Sequence, residues 1–142
     1  VAAGVSEGVA QDLGVVPGAR AELRLPQGWS VAIVGDSRTH INYRESSTAL
    51  LAGYHLGFAT GPFSAWAGLE LGAGMVAQTS TVLPDAYSAQ GIAAPCGGLG
   101  LRVADHAAIG LEASLPLVVL RRDGATTGLA LPAAWLGAVV DL

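Results

Sequence analysis

Three observations predict an all-β fold: an eight-stranded antiparallel up-and-down transmembrane β-barrel. Apolar residues alternate with polar or small ones at a period of two along most of the chain. Charged residues make up only 13% of 142 residues, against about 25% in an ordinary soluble domain. Short and long connections alternate along the sequence, as they do in a barrel with tight turns at one end and loops at the other.

The elements are taken in order. A first strand covers about residues 1–10, where Val5 and Val9 share a face with Glu7. The second and third, 19–25 and 29–38, form a hairpin around Pro26-Gln27-Gly28. Here Ala19, Ala21, Leu23 and Leu25 alternate with Arg20, Glu22 and Arg24, and Trp29, Val31 and Ile33 continue the apolar face. The fourth and fifth strands, 47–58 and 63–77, flank Ala59-Thr60-Gly61-Pro62. Residues 46–69 carry no Asp, Glu, Lys or Arg and are long enough for a membrane helix, but Thr60-Gly61-Pro62 breaks them and they alternate, so two strands are expected. Leu50, Ala52, Tyr54, Leu56 and Phe58 are assigned outward, with His55 on the inner face. Phe63 through Met75 at odd positions point outward, opposite Ser64, Trp66, Gly68, Glu70, Gly72 and Gly74. The sixth strand, 91–103, turns at Ala104-Asp105-His106 into the seventh, 107–119, where Glu112 stands alone among Ala, Gly, Ser and Pro opposite an aliphatic face. The eighth, 128–142, is apolar on both faces, and its even positions are assigned outward, placing Trp135 and Asp141 within. The four longer connections are 11–18, 39–46, 78–90 and 121–127.

A solvent-facing strand surface would be filled with charged and hydroxylated residues. The second face here is Gly-rich with one charge near mid-strand, which suits a narrow lumen filled by side chains. Arg20, Glu22, Arg24, Glu70 and Glu112 are therefore expected to meet inside as a compensated, structural charge network, because an unpaired buried charge costs several kcal/mol. Trp29, Phe58 and Phe63 cluster near the short-turn end, where an aromatic girdle belongs.

The pattern resembles the small eight-stranded outer-membrane β-barrels of the OmpA or OmpX type, across the whole chain and by architecture rather than by a local motif. The Arg-, Ala- and Gly-rich, Lys-free strands resemble barrel domains of high-GC Gram-negative bacteria, which also occur as the C-terminal part of longer chains. The resemblance implies a single domain over 1–142 and residence in the bacterial outer membrane. It also implies an insertion signal in the last strand; the family's final aromatic is replaced here by Leu142.

The function expected is that of a membrane anchor or structural and interaction protein, monomeric, embedded in membrane lipid, with the long loops open to an envelope protein partner. One alternative is a lipid-modifying enzyme, for which Asp36, Ser37, His40, Glu45 and Ser46 offer a Ser–His–carboxylate set without a nucleophile motif. Another is a soluble lipocalin-like ligand-binding barrel. A net charge of −4 with no basic cluster excludes a nucleic-acid surface. Cys96 has no disulfide partner and no metal-ligand spacing around it, and Gly97-Gly98 opens no phosphate-binding helix, so neither metal nor cofactor is expected.

Overall fold

The computed structural model describes residues 6–8, 14–16, 18–39, 42–82, 84–104, 107–122, 125–130 and 132–140. These form β1 (Ser6–Gly8), β2 (Gly14–Val16), β3 (Gly18–Arg24), β4 (Trp29–Thr39), β5 (Tyr43–Thr60) and β6 (Phe63–Ser80). They continue as β7 (Ala86–Ala104), β8 (Ala107–Ser114), β9 (Leu117–Arg122), β10 (Ala125–Ala130) and β11 (Ala133–Val140). A 3-10 turn at Pro26–Gly28 joins β3 to β4, with Gln27 and Gly28 both at positive φ. No helix among the described residues is long and apolar enough to cross a membrane.

All pairing is antiparallel; it joins sequence neighbours along β3–β4–β5–β6–β7, and β7 then pairs with both β8 and β9. β11 pairs with β8, and β10 with β9, completing a nine-stranded sheet. The sheet is curled into a half-barrel. β1 and β2 form a separate two-stranded sheet, with β1 beside β11. The curl is measured by the Arg20–Glu112 ion pair, 3.6 Å, which links β3 to β8 although four strands separate them in the sheet.

Instead of eight strands, eleven segments are present among the described residues. Proline explains part of the difference. Pro95 in β7 and Pro116 after β8 lack N–H groups at the same level, so the ladder breaks between β8 and β9. The register on β7 is unchanged across the gap, and Leu115 N–H still donates to the Pro95 carbonyl at 3.0 Å. β10 and β11 are interrupted beside Pro132, again without a change of register.

A second correction concerns the connections. The polar stretches expected to be loops are largely strand. Tyr43 pairs with Ser80 and Ser46 with Ala77, so β5 and β6 each run 18 residues and β7 runs 19. The links between described strands at this end shrink to 40–42, 81–85 and 123–124, and β2 lies within the expected loop at 11–18. The sequence asymmetry is therefore one of polarity along strands more than of loop length.

Facing follows the alternation. Leu50, Leu56 and Phe58 are 60%, 67% and 69% exposed, while Ala49, Leu51 and His55 are buried between them. Leu69, Leu71 and Met75 are exposed beside buried Glu70, and Leu111 is exposed beside buried Glu112. Over Ala133–Ala138, Trp135 is buried and Ala134 and Leu136 are exposed, as the even-outward assignment requires. All of β10 is exposed, so burial distinguishes no face there. Asp141 and Leu142, and the faces of the first strand, lie outside the described residues and side chains.

Candidate functional site: the charged interior

The five charged side chains on the concave face converge from three strands. β3 supplies Arg20, Glu22 and Arg24 at alternate positions, so all three project to one side. β6 supplies Glu70 and β8 supplies Glu112. Arg20 donates through Nη1 to Glu70 Oε2 at 3.0 Å and through Nη2 to Glu70 Oε1, a bidentate fork. Its Nη2 also lies 3.1 Å from Glu22 Oε2, and Arg24 Nε donates to Glu22 Oε1 at 3.1 Å. Arg20, Glu70 and Glu112 are buried, whereas the Arg24 side chain is 41% exposed. The structure thus brings all five residues into one connected network. Two atoms in it, Arg20 Nε and Glu112 Oε1, have no hydrogen-bond partner.

Three rings extend the network. Arg24 lies over Trp66 at 4.6 Å, and Trp66 stacks on His55 with centroids 4.7 Å apart and planes 16° apart. Trp135 is buried nearby, lining the same cavity as Glu112. Missing side chains create the room. Gly98 leaves the space taken by the Trp66 indole, whose Cε2 and Cζ2 would be 2.7 Å from a Cβ there. Gly68 stands between His55 and Cys96 in the cross-strand row, and the imidazole crosses over it to reach the thiol. A Cβ at Gly68 would meet His55 Cδ2 at 2.4 Å.

Ring nitrogen Nε2 of His55 faces three heteroatoms: Ser30 Oγ and Glu70 Oε1, each 3.5 Å away, and Cys96 Sγ at 3.9 Å. Nδ1 lies 3.7 Å from Glu22 Oε1 and makes no hydrogen bond. His55 was placed on the inner face from the alternation alone. Its meeting with Cys96 escaped the sequence, because the two are 41 positions apart and meet only through two strand registers and Gly68.

The ionic cluster lies between two cavities. One, about 210 Å³, is at the short-turn end against Arg24, Trp66, Glu112 and Trp135; the other, about 130 Å³, reaches toward Asp36, Arg38 and Gln90. Arg20 lines both.

The girdle residues Trp29, Phe58 and Phe63 are all exposed on the outer face, and Trp29 packs edge-on against Tyr54 at 5.2 Å. Tyr43 and Tyr87 are exposed toward the opposite end.

The described members of the Ser–His–carboxylate set make cross-strand contacts. Ser47 donates to Asp36 at 2.8 Å, Arg44 to Ser37 at 3.0 Å and Gln78 to Glu45 at 3.0 Å. Asp36 and Glu45 are thus engaged with residues outside the expected set. His40 and His106 lie outside the described residues.

Compared with known proteins, the chain matches no family model, no curated protein and no solved structure.

Proposed function

We propose that the chain is an integral outer-membrane β-barrel that acts as a membrane anchor or structural protein, with its lumen closed by the Arg20–Glu70 network. One observation carries the reading: the distribution of polarity is inverted relative to a water-soluble fold. Arg20, Glu70 and Glu112 are buried, while every strand from β3 to β11 exposes at least one large apolar side chain. Soluble monomers rarely expose contiguous apolar patches beyond a few hundred Å². A lipocalin-like barrel would place aliphatic side chains where this chain places three carboxylates and two guanidinium groups.

Dimensions support the same reading. The apolar outer run on β5, Leu50 to Phe58, has the length of roughly 9–11 residues that crosses a hydrocarbon core when tilted. Above it the outer face turns polar at one level, with Ser37 paired to Ser46, and Thr39 to Arg44 and on to Thr79. Exposed aromatics lie toward both ends of the belt. In the closed form, β2 with β3, β8 with β9 and β10 with β11 each act as one pass. Together with β1, β4, β5, β6 and β7 they make eight, and β1 against β11 forms the seam. The polar strand ends are the surface offered to an envelope protein partner.

The test is detergent dependence. Purified protein is expected to aggregate when detergent is withdrawn and to remain folded in micelles or lipid. A stable, folded monomer in plain buffer would overturn the proposal.

A further inference from the structure

We infer that His55, Glu70 and Cys96 form a buried site for a thiophilic divalent transition-metal ion of the zinc class, inside the sheet and independent of what covers its outer face. The three ligand atoms all lie within 4.8 Å of one another, and all three residues are buried. Around Nε2 the separations are 3.5 Å to Glu70 Oε1 and 3.9 Å to Cys96 Sγ, with Ser30 Oγ also at 3.5 Å. Direct N–H···O hydrogen bonds would close to about 2.7–3.2 Å. Ligands around a tetrahedral zinc, with bonds of about 2.0–2.3 Å, stand about 3.3–3.8 Å apart. The two 3.5 Å separations fall within that range and the 3.9 Å to Sγ lies just beyond it, and with all three ligand atoms within 4.8 Å the donors are close enough to share one centre after a small contraction. A nitrogen, a sulfur and a carboxylate oxygen are the donors zinc takes, and Ser30 or water completes four positions.

Three independent features support the assignment. First, the centre is bounded by a residue without a side chain. A Cβ at Gly53 would lie 3.1 Å from His55 Nε2, 2.9 Å from Ser30 Oγ and 2.8 Å from Glu70 Cγ. Second, the unpartnered Nδ1 of His55 lies 3.7 Å from Glu22 Oε1. The Glu22 charge on that side favours the proton on Nδ1 and so leaves the Nε2 lone pair for the metal, and a small closure of this gap would give the outer-shell arrangement usual for a ligating histidine. Third, the local charges close. Glu22, Glu70 and Glu112 face Arg20 and Arg24, a balance of −1 with neutral imidazole and thiol. Binding M²⁺ with release of the Cys96 thiol proton to water brings the cluster to zero. Glu70 keeps its fork to Arg20, since a carboxylate offers about four lone-pair sites.

The experiment uses the full chain folded in detergent, with Co²⁺ as the probe. One equivalent is expected to bind and to give the near-ultraviolet thiolate-to-cobalt charge-transfer band, and Zn²⁺ is expected to displace it. Cys96→Ser should abolish the band, and Glu22→Gln should weaken binding by about 10–100-fold while keeping it. Far-ultraviolet circular dichroism checks that each variant is folded. A second measurement needs no variant: Zn²⁺ should slow alkylation of Cys96, the chain's single thiol, and a chelator should restore it. No band from the folded wild type, a band that persists in folded Cys96→Ser, or alkylation indifferent to Zn²⁺ would each overturn the site. These readouts concern the interior, so their failure is distinguishable from failure of the detergent test.

Discussion

Glu70 is the residue on which the interior turns. It is 1% exposed, receives both Nη groups of Arg20, and faces the imidazole of His55. Removing it leaves Arg20 in a buried position with only Glu22 and the more distant Glu112. Breaking a buried pair from one side costs about 3–5 kcal/mol, and water in the flanking cavities lowers that figure. Glu70→Ala is therefore expected to destabilise by several kcal/mol in urea unfolding from micelles. Glu45→Ala, which removes one partly buried hydrogen bond to Gln78, is expected to cost about 1 kcal/mol. Equal costs would remove Glu70 from its central role. The placement of Glu70 and Glu112 was legible in the sequence because each is a lone charge on a face of small residues. The contacts of Cys96 were not, because alternation assigns a side chain to a face but does not fix which strands lie opposite one another.

At the level of the strand, alternation located the apolar middle of each element and lost its ends. In Tyr43–Ser47 both faces are polar, so a period-two pattern in hydrophobicity has nothing to register. Backbone pairing is indifferent to that, and the β5–β6 ladder runs on to Tyr43 and Ser80. Prolines were legible as residues but not as interruptions, since the break at Pro116 depends on a register that sets Pro95 one position away on the facing strand, opposite Leu115. Hydrogen exchange provides the check. Amides of residues 44–47 and 76–79 that face the partner strand are expected to be protected, more weakly than those near Glu70. Exchange at the unprotected rate across both segments would return them to loops.

For the molecule as a whole, the curl matters more than any single pair. It brings β3 against β8 through Arg20 and Glu112 and divides the interior into two cavities separated by ionic side chains. If the sheet closes as proposed, a narrow barrel filled in this way conducts poorly. No stable conductance of porin size is expected in planar bilayers, and sustained uniform channels would contradict the proposed closed lumen.

The meander has a kinetic consequence. From β3 to β9 each strand pairs with a neighbour in sequence, mostly across a short turn, so these hairpins can zip with little loop entropy to overcome. The approach of β1 to β11 is different, because it joins segments more than a hundred residues apart. Such a contact carries the largest closure entropy in the chain and is rewarded only once the intervening strands are in place. In the proposed closed form the seam is thus the late step of assembly, and until it forms the edge of β11 is open as a template for a strand from another chain.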